Sequence, residues 1–153
     1  MSDSVDVLIV AATTPMVSHP GDAGADLSST MDCVILPGER KTVSTGVSIA
    51  LPRGYVAFIV PRSGLAARHG ITIVNSPGTV DAGYRGEILV TLLNTDAKEP
   101  FSVAVGDRIA QMVVLAFAAV NFVPVERLPE SERGINGFGS TGLNTHTIRN
   151  KEV

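Results

Sequence analysis

The residues of this chain best suited to chemistry fall in a few short stretches. In Pro61-Arg62-Ser63-Gly64 a guanidinium precedes a hydroxyl and a glycine, at a point that reads as the start of a short helix. Free N–H groups at such a start, the Ser63 hydroxyl and Arg62 can bind an anion such as phosphate together, and Gly64 lets the backbone come close. An ordinary helix cap with a surface arginine has the same pattern. In Asn75-Ser76-Pro77-Gly78-Thr79-Val80-Asp81-Ala82-Gly83-Tyr84-Arg85-Gly86-Glu87 a carboxamide, a carboxylate and an aromatic ring share one small loop. Asp81 can orient and deprotonate a water, Tyr84 can stack on a sugar or a base, and Asn75 can hydrogen-bond a base edge. The blander alternative makes Asp81 a turn former and Tyr84 a packing residue.

Gly106-Asp107-Arg108-Ile109-Ala110-Gln111 opens an apolar strand with an inward-leaning Gln111, which needs partners if buried. Asp22 and Asp26, in Gly21-Asp22-Ala23-Gly24-Ala25-Asp26-Leu27, are candidates for holding hydrated Mg2+ through oxygen, with a simple turn as the alternative. Near the C-terminus Arg133, Gly137, Phe138, Gly139, Ser140 and Thr141 look like a glycine-rich phosphate-gripping loop, with Arg133 as cation and Phe138 as stacking ring. His19, His69 and His146 have no metal-ligand spacing. Cys33 is the single cysteine, so neither an intrachain disulfide nor a cysteine zinc cage is available, which suits a reducing cytoplasm.

These residues need a rigid frame. The 153 residues fit one domain of ordinary size, and an apolar share of 44% against 18% charged residues permits a real core. Val, Ile and Thr supply 42 residues, with 15 Gly and 9 Pro as punctuation, so the chain reads as all-β. Strands are predicted over 6 to 11, 34 to 36, 41 to 51, 55 to 60, 71 to 74, 87 to 94, 109 to 117 and 121 to 126, as in a sandwich or barrel. Residues 75 to 87 read as a hairpin turning near Ala82-Gly83. Segments 55 to 60 and 112 to 119 are apolar on both faces and call for a second sheet or a second subunit. One helix is expected after an N-cap at Ser63, ending at Gly70. Residues 1 to 128 read as the barrel domain and 129 to 153 as a flexible C-terminal arm, too poor in apolar surface to offset its own ordering entropy. The net charge of −3 argues against nucleic acid or anionic membrane as bulk partners. With no signal peptide or apolar run of membrane length, a soluble cytoplasmic protein is expected.

Taken together the five motif stretches resemble the five ordered motifs of the trimeric dUTPase family, of the bacterial type, over residues 20 to 142. That resemblance implies a jelly-roll-like β-barrel and a homotrimer with shared active sites, each closed by the C-terminal arm of a neighbouring subunit. It implies hydrolysis of dUTP to dUMP and pyrophosphate, which keeps uracil out of DNA and supplies dUMP for dTMP synthesis. Carried over by motif, Asp81 activates the attacking water. Arg62, Ser63 and Gly64 bind phosphates, Gln111 helps to place the water and the α-phosphate, and Asp26 holds Mg2+ through its water shell. Arg133, Ser140 and Thr141 reach the γ-phosphate, Gly139 binds substrate beside them, and Phe138 stacks over uracil. Asn75, Gly78, Thr79, Val80 and Leu89 select uracil, and Tyr84 packs under the deoxyribose. Asn136 replaces a glycine of the last motif.

The nearest rivals are dCTP deaminase and the bifunctional deaminase-dUTPase, which share the fold. Such deaminases carry a general-base glutamate further along the strand, where this chain has Thr91. A catalytically silent nucleotide-binding trimer is the rival of another class.

Overall fold

The computed structural model describes residues 4–131 and 134–135. It is mostly β with one short helix, and the chain divides into two compact units, Met1–Ala119 and Val120–Val153. The described residues of the first unit form twelve strands: β1 (Leu8–Ala11), β2 (Met16–Val17), β3 (Gly24–Ser28), β4 (Cys33–Ile35), β5 (Arg40–Ser44), β6 (Val47–Ala50), β7 (Tyr55–Val60), β8 (Ile71–Ile73), β9 (Gly78–Val80), β10 (Leu89–Asn94), β11 (Phe101–Val103) and β12 (Arg108–Ala116). The helix, α1 (Ser63–His69), lies between β7 and β8. The strands form small antiparallel sheets in the orders β1-β6, β5-β10-β8, β11-β4 and β2-β3-β12-β7-β9.

All four sheets turn one face onto a single core. Leu27 of β3, Ile35 of β4, Val43 of β5, Val47 of β6, Ile71 of β8, Leu92 of β10 and Ile109 of β12 are almost wholly buried and belong to one cluster, so the sheets wrap it in the manner of a barrel. Burial of each such side chain is worth about 1.5–3 kcal/mol, and this shared core fixes the loops between the sheets. β7 and β12 run side by side from Gln111↔Val60 to Ala116↔Tyr55. On β7, Val56, Ala57 and Ile59 are buried, whereas Tyr55, Phe58 and Val60 keep partial exposure.

Several sequence expectations need correction. The strand expected over 41 to 51 is two strands, because Gly46 takes φ +66° and the chain turns at Thr45-Gly46. The expected hairpin over 75 to 87 is no hairpin in the ladder sense: β9 pairs with β7, while β10 pairs with β5 and β8. The turn at Ala82-Gly83 does form, closed by the Tyr84 N–H donating to the Asp81 carbonyl at 3.0 Å. The loop therefore crosses between two sheets. Residues 121 to 126 form no strand, since a strand needs a ladder partner and here Phe122, Val123 and Val125 stand exposed. Ser63 is the first helical residue, not the cap; Arg62 holds the N-cap position in extended geometry with no side-chain capping bond. The C-terminal end follows expectation, with Gly70 left-handed and its N–H donating to Ala66 and Leu65 carbonyls. Among the described residues no helix is long and apolar enough to cross a membrane.

Candidate active site

The motif residues gather into two separate cavities of the first unit. The first, about 220 Å3, is lined by Asn75, Gly78, Thr79, Val80, Asp81, Tyr84 and Leu89, with Glu87 and the β-strand apolar residues behind them. The second, about 430 Å3, is lined by Asp22, Gly24, Asp26, Arg62, Ser63, Gly64 and Gln111. No residue lines both. Base and sugar candidates are thus kept apart from phosphate and metal candidates within one chain. Arg133, Phe138, Gly139, Ser140 and Thr141 lie outside the described residues, as do Asn136 and the segment 143 to 153.

Strand pairing fixes the floor of the first cavity. β9 is held to β7 by the pairs Ala57↔Val80, Phe58↔Thr79 and Ile59↔Gly78, so Gly78 and Val80 are buried and Thr79 is turned outward. Alternation along a strand thereby presents the Thr79 side to solvent and main-chain groups to the cavity rim. Asp81 follows directly and is exposed, a carboxylate in the lining of the pocket. Tyr84 is 46% exposed and its Oη donates to the Glu87 carbonyl at 2.9 Å. Arg85 folds back to donate to the Ala82 and Tyr84 carbonyls.

Glu87 closes the loop. One of its carboxylate oxygens accepts from the Ser44 hydroxyl, from the Thr45 N–H at 3.1 Å and from the Gly46 N–H at 2.7 Å. The Ser44 hydroxyl, then the Gly46 N–H and with them the Thr45 N–H, hold this carboxyl below the usual carboxylate range, against a smaller opposing effect of burial. The break in the predicted strand 41 to 51 is the other half of this clamp.

Charge organises the second cavity. Asp26 on β3 receives Arg62 Nε at 2.9 Å and Arg108 Nη1 at 3.1 Å, and Arg62 Nη1 also donates to the Arg108 carbonyl at 3.0 Å. Two guanidinium groups share the one carboxylate of Asp26, which gathers cationic donors at this point in a protein of net negative charge. Arg62 is thus tied to the carboxylate proposed for metal, with its remaining donors free to face a phosphate. Gln111 Nε2 donates to the Pro61 carbonyl at 3.0 Å, and its amide lies where a Cβ on Gly24 would sit, so Gly24 makes space for it. Asp22, by contrast, closes its own turn: its carboxylate accepts from the His19 N–H, and its N–H donates to the His19 carbonyl. Of the two aspartates, Asp26 alone stands among the arginines. Thr91 faces Thr42 across β5 and β10 with the hydroxyls 3.0 Å apart.

Sequence reasoning passed over Arg108, Glu87, Gly24 and Gly86 as contributors. All four sit inside the quoted motifs.

A family model described as dUTPase matches residues 11–142. The chain belongs to the dUTPase family. Among its relatives is the deoxyuridine 5'-triphosphate nucleotidohydrolase of Leifsonia xyli subsp. xyli (strain CTCB07), 63% identical over 142 residues that cover 93% of each chain. A mutant of the Staphylococcus bacteriophage 80alpha dUTPase, solved with dUpNHpp, superposes with TM-score 0.84 at 26% identity over 92% of this chain and all of that one. A mutant dUTPase from phage phi11 of S. aureus, whose structure is described as revealing the coordination of a structural Mg(II) ion, shares the fold, with TM-score 0.74 at 23% identity over 80% of this chain and 98% of that one.

Proposed function

We propose that this chain is a dUTP diphosphatase, hydrolysing dUTP to dUMP and pyrophosphate in a site built between subunits of a homotrimer. The observation that carries the reading is the division of the motif residues into a nucleoside cavity and a phosphate cavity with no residue in common. One nucleotide spans both kinds of group, so the nucleoside cavity of one chain faces the phosphate cavity of another. The partly exposed apolar residues of β7 and the unpaired apolar segment 121 to 126 support subunit contact.

In this reading the base enters the first cavity, where Asn75 and the main chain at Gly78, Thr79, Val80 and Leu89 recognise uracil. The narrow pocket excludes a 5-methyl group and leaves a cytosine amino group without an acceptor. Tyr84 lies under the deoxyribose and leaves no space for a 2′-hydroxyl. Asp81 takes a proton from water as its oxygen attacks the α-phosphorus. The bond from that phosphorus to the bridging oxygen breaks, and pyrophosphate leaves with the electron pair. Gln111, fixed by the Pro61 carbonyl, helps to orient the water and the α-phosphate. Arg62, Ser63 and Gly64 bind phosphate oxygens. Arg133, Ser140 and Thr141 of a third chain reach the γ-phosphate, with Gly139 beside them and Phe138 over the base.

The donor set suits a hydrated magnesium ion. Among the described residues no group of three or more His, Cys, Asp or Glu can cage a metal, and Asp26 is the carboxylate paired with Arg62 and Arg108. Mg2+ keeps several waters and takes one or two carboxylates plus substrate phosphates, so Asp26 would hold it through water. When bound, it supplies neutralising charge to the triphosphate. The activity belongs in the cytoplasm, where it lowers dUTP and provides dUMP.

The test is pyrophosphate release from dUTP, dCTP, dTTP and UTP, with Mg2+ and with EDTA, following dUMP by chromatography. Turnover of dUTP alone, in Mg2+ alone, is the expected result. Deamination of dCTP would place the chain with the deaminases instead. Binding of dUTP without turnover would make it a nucleotide-binding trimer.

A further inference from the structure

The sugar-facing ring of the first cavity is fixed from three sides by its own loop. Tyr84 Oη donates to the Glu87 carbonyl, and the Tyr84 N–H donates to the Asp81 carbonyl. A Cβ on Gly86 would lie 2.5 Å from Tyr84 Oη and 2.7 Å from Cζ, so the ring occupies the volume that glycine leaves open. With its hydroxyl engaged by the loop, Tyr84 offers the cavity a ring face and not a hydrogen-bond donor.

The loop is in turn bolted to the sheet behind it through Glu87. Its carboxylate accepts from Ser44, Thr45 and Gly46 in the turn between β5 and β6, and the Thr30 hydroxyl donates to the Ser44 hydroxyl at 2.8 Å. One residue further on, the Thr45 hydroxyl donates to the Ile88 carbonyl at 2.6 Å, and the Ile88 N–H donates to the Val47 carbonyl at 2.8 Å. Carboxylate bonds to N–H groups are charge-assisted and about twice as strong as neutral ones, so this end of the loop is its stiff end. Rejecting a single extra hydroxyl by steric means requires a wall that does not yield, since a ring free to tilt by a fraction of an ångström admits it.

We propose that Glu87 is a positioning residue for sugar discrimination: its clamp on the 44–46 turn, together with the space at Gly86, holds Tyr84 where a ribose 2′-hydroxyl would collide. The inference rests on the dUTPase reading of this site and adds a specificity role to a residue at the back of the cavity whose carboxylate is engaged by the 44–46 turn. The clamp predicts a defined signature. Loosening it changes the ratio of kcat/KM for UTP to that for dUTP, and it raises KM for dUTP more than it lowers kcat.

The test compares the wild-type protein with Glu87→Ala, Glu87→Gln, Ser44→Ala and Gly86→Ala, each checked for folding by circular dichroism and thermal unfolding. The UTP to dUTP ratio is expected to rise about tenfold in Glu87→Ala and Gly86→Ala, and about threefold in Ser44→Ala, the scale of one misfitted group in a pocket. Glu87→Gln retains an acceptor for the two N–H groups and should recover most of the discrimination. A ratio within about twofold of wild type in every folded variant overturns the proposal, because a purely structural role lowers both substrates alike. Should Glu87→Ala fail to fold, Ser44→Ala and Gly86→Ala decide by the same ratio. Calorimetric Kd values for dUMP and UMP in the same proteins separate the two readings. A wild type that binds these nucleotides but turns over no dUTP refutes the hydrolase, while the Kd ratio still decides the clamp.

Discussion

The two cavities are rigid for opposite reasons. The cavity proposed for the nucleoside is built of main-chain bonds and one clamped carboxylate: β9 laddered to β7, Tyr84 tied to the Glu87 carbonyl, Glu87 tied to a distant turn. The cavity proposed for the phosphates is built of charges paired with one another, with Asp26 between Arg62 and Arg108. Shape discrimination needs walls that hold without regard to the ligand's charge. Phosphate binding needs a positive excess kept in place before the ligand arrives, so that little reorganisation accompanies binding. Damage to the first region should therefore alter which nucleotide is chosen, and damage to the second how fast any nucleotide reacts.

The sharpest break in that contrast is Asp81, a chemical group set in the shape-reading region. Asp81→Ala should lower kcat for dUTP by about 10^3 and leave KM little changed, as steady-state pyrophosphate release will show; full turnover would remove Asp81 from the mechanism. On the charged side, Asp26→Asn leaves two guanidinium groups without their carboxylate. A loss of roughly 10- to 100-fold in kcat/KM, with saturation moved to higher Mg2+, is expected from a magnesium titration, and an unchanged titration curve would rule out a metal role for Asp26. Gly24→Ala should displace Gln111 and reduce kcat by about tenfold, and it should add little on top of Gln111→Ala, because both act through one amide. Additive losses in that double variant would show that Gly24 acts elsewhere.

The smallest effect is on stability. Glu87 has a folded-state pKa below its usual 4.5, so its contribution is complete above that value and fades as pH falls through the lower folded value. Melting temperatures of wild type and Glu87→Gln should differ at neutral pH and converge as the pH falls below 4.5 and through the lower folded-state value. Asp96 is also held low, by the Glu99 and Lys98 N–H groups, but it is present in both proteins and cancels in the difference. A gap that stays constant across the titration would show that the clamp does not depend on the Glu87 charge.

The motifs were legible because each asks for residue types that ordinary turns rarely combine, as with Asn75, Asp81 and Tyr84 in one loop. The turn at Ala82-Gly83 was legible too, since it is set by neighbours in sequence. What followed the turn was not: β9 and β10 separate into different sheets because each finds its partner far along the chain. β3 was missed because Gly24-Ala25-Asp26-Leu27-Ser28 is small and polar, and its strand geometry comes from pairing with β12 on one side and β2 on the other. The break at Gly46 was hidden within an alternating run, as the carboxylate that receives its N–H is 41 residues away. Segment 121 to 126 has strand composition without a ladder in its own chain, a demand that sequence states and one chain does not meet.

The separation of the two cavities also has a genetic meaning. If each working site takes its nucleoside half from one chain and its phosphate half from another, a chain impaired at Asp81 and a chain impaired at Asp26 carry complementary lesions. Mixed in equal amounts and allowed to reassemble, two impaired populations should regain full activity at roughly one site in four, the chance that both intact halves meet. Two lesions within the same cavity should never rescue each other, so alleles of this protein sort into two complementation groups drawn by its folding.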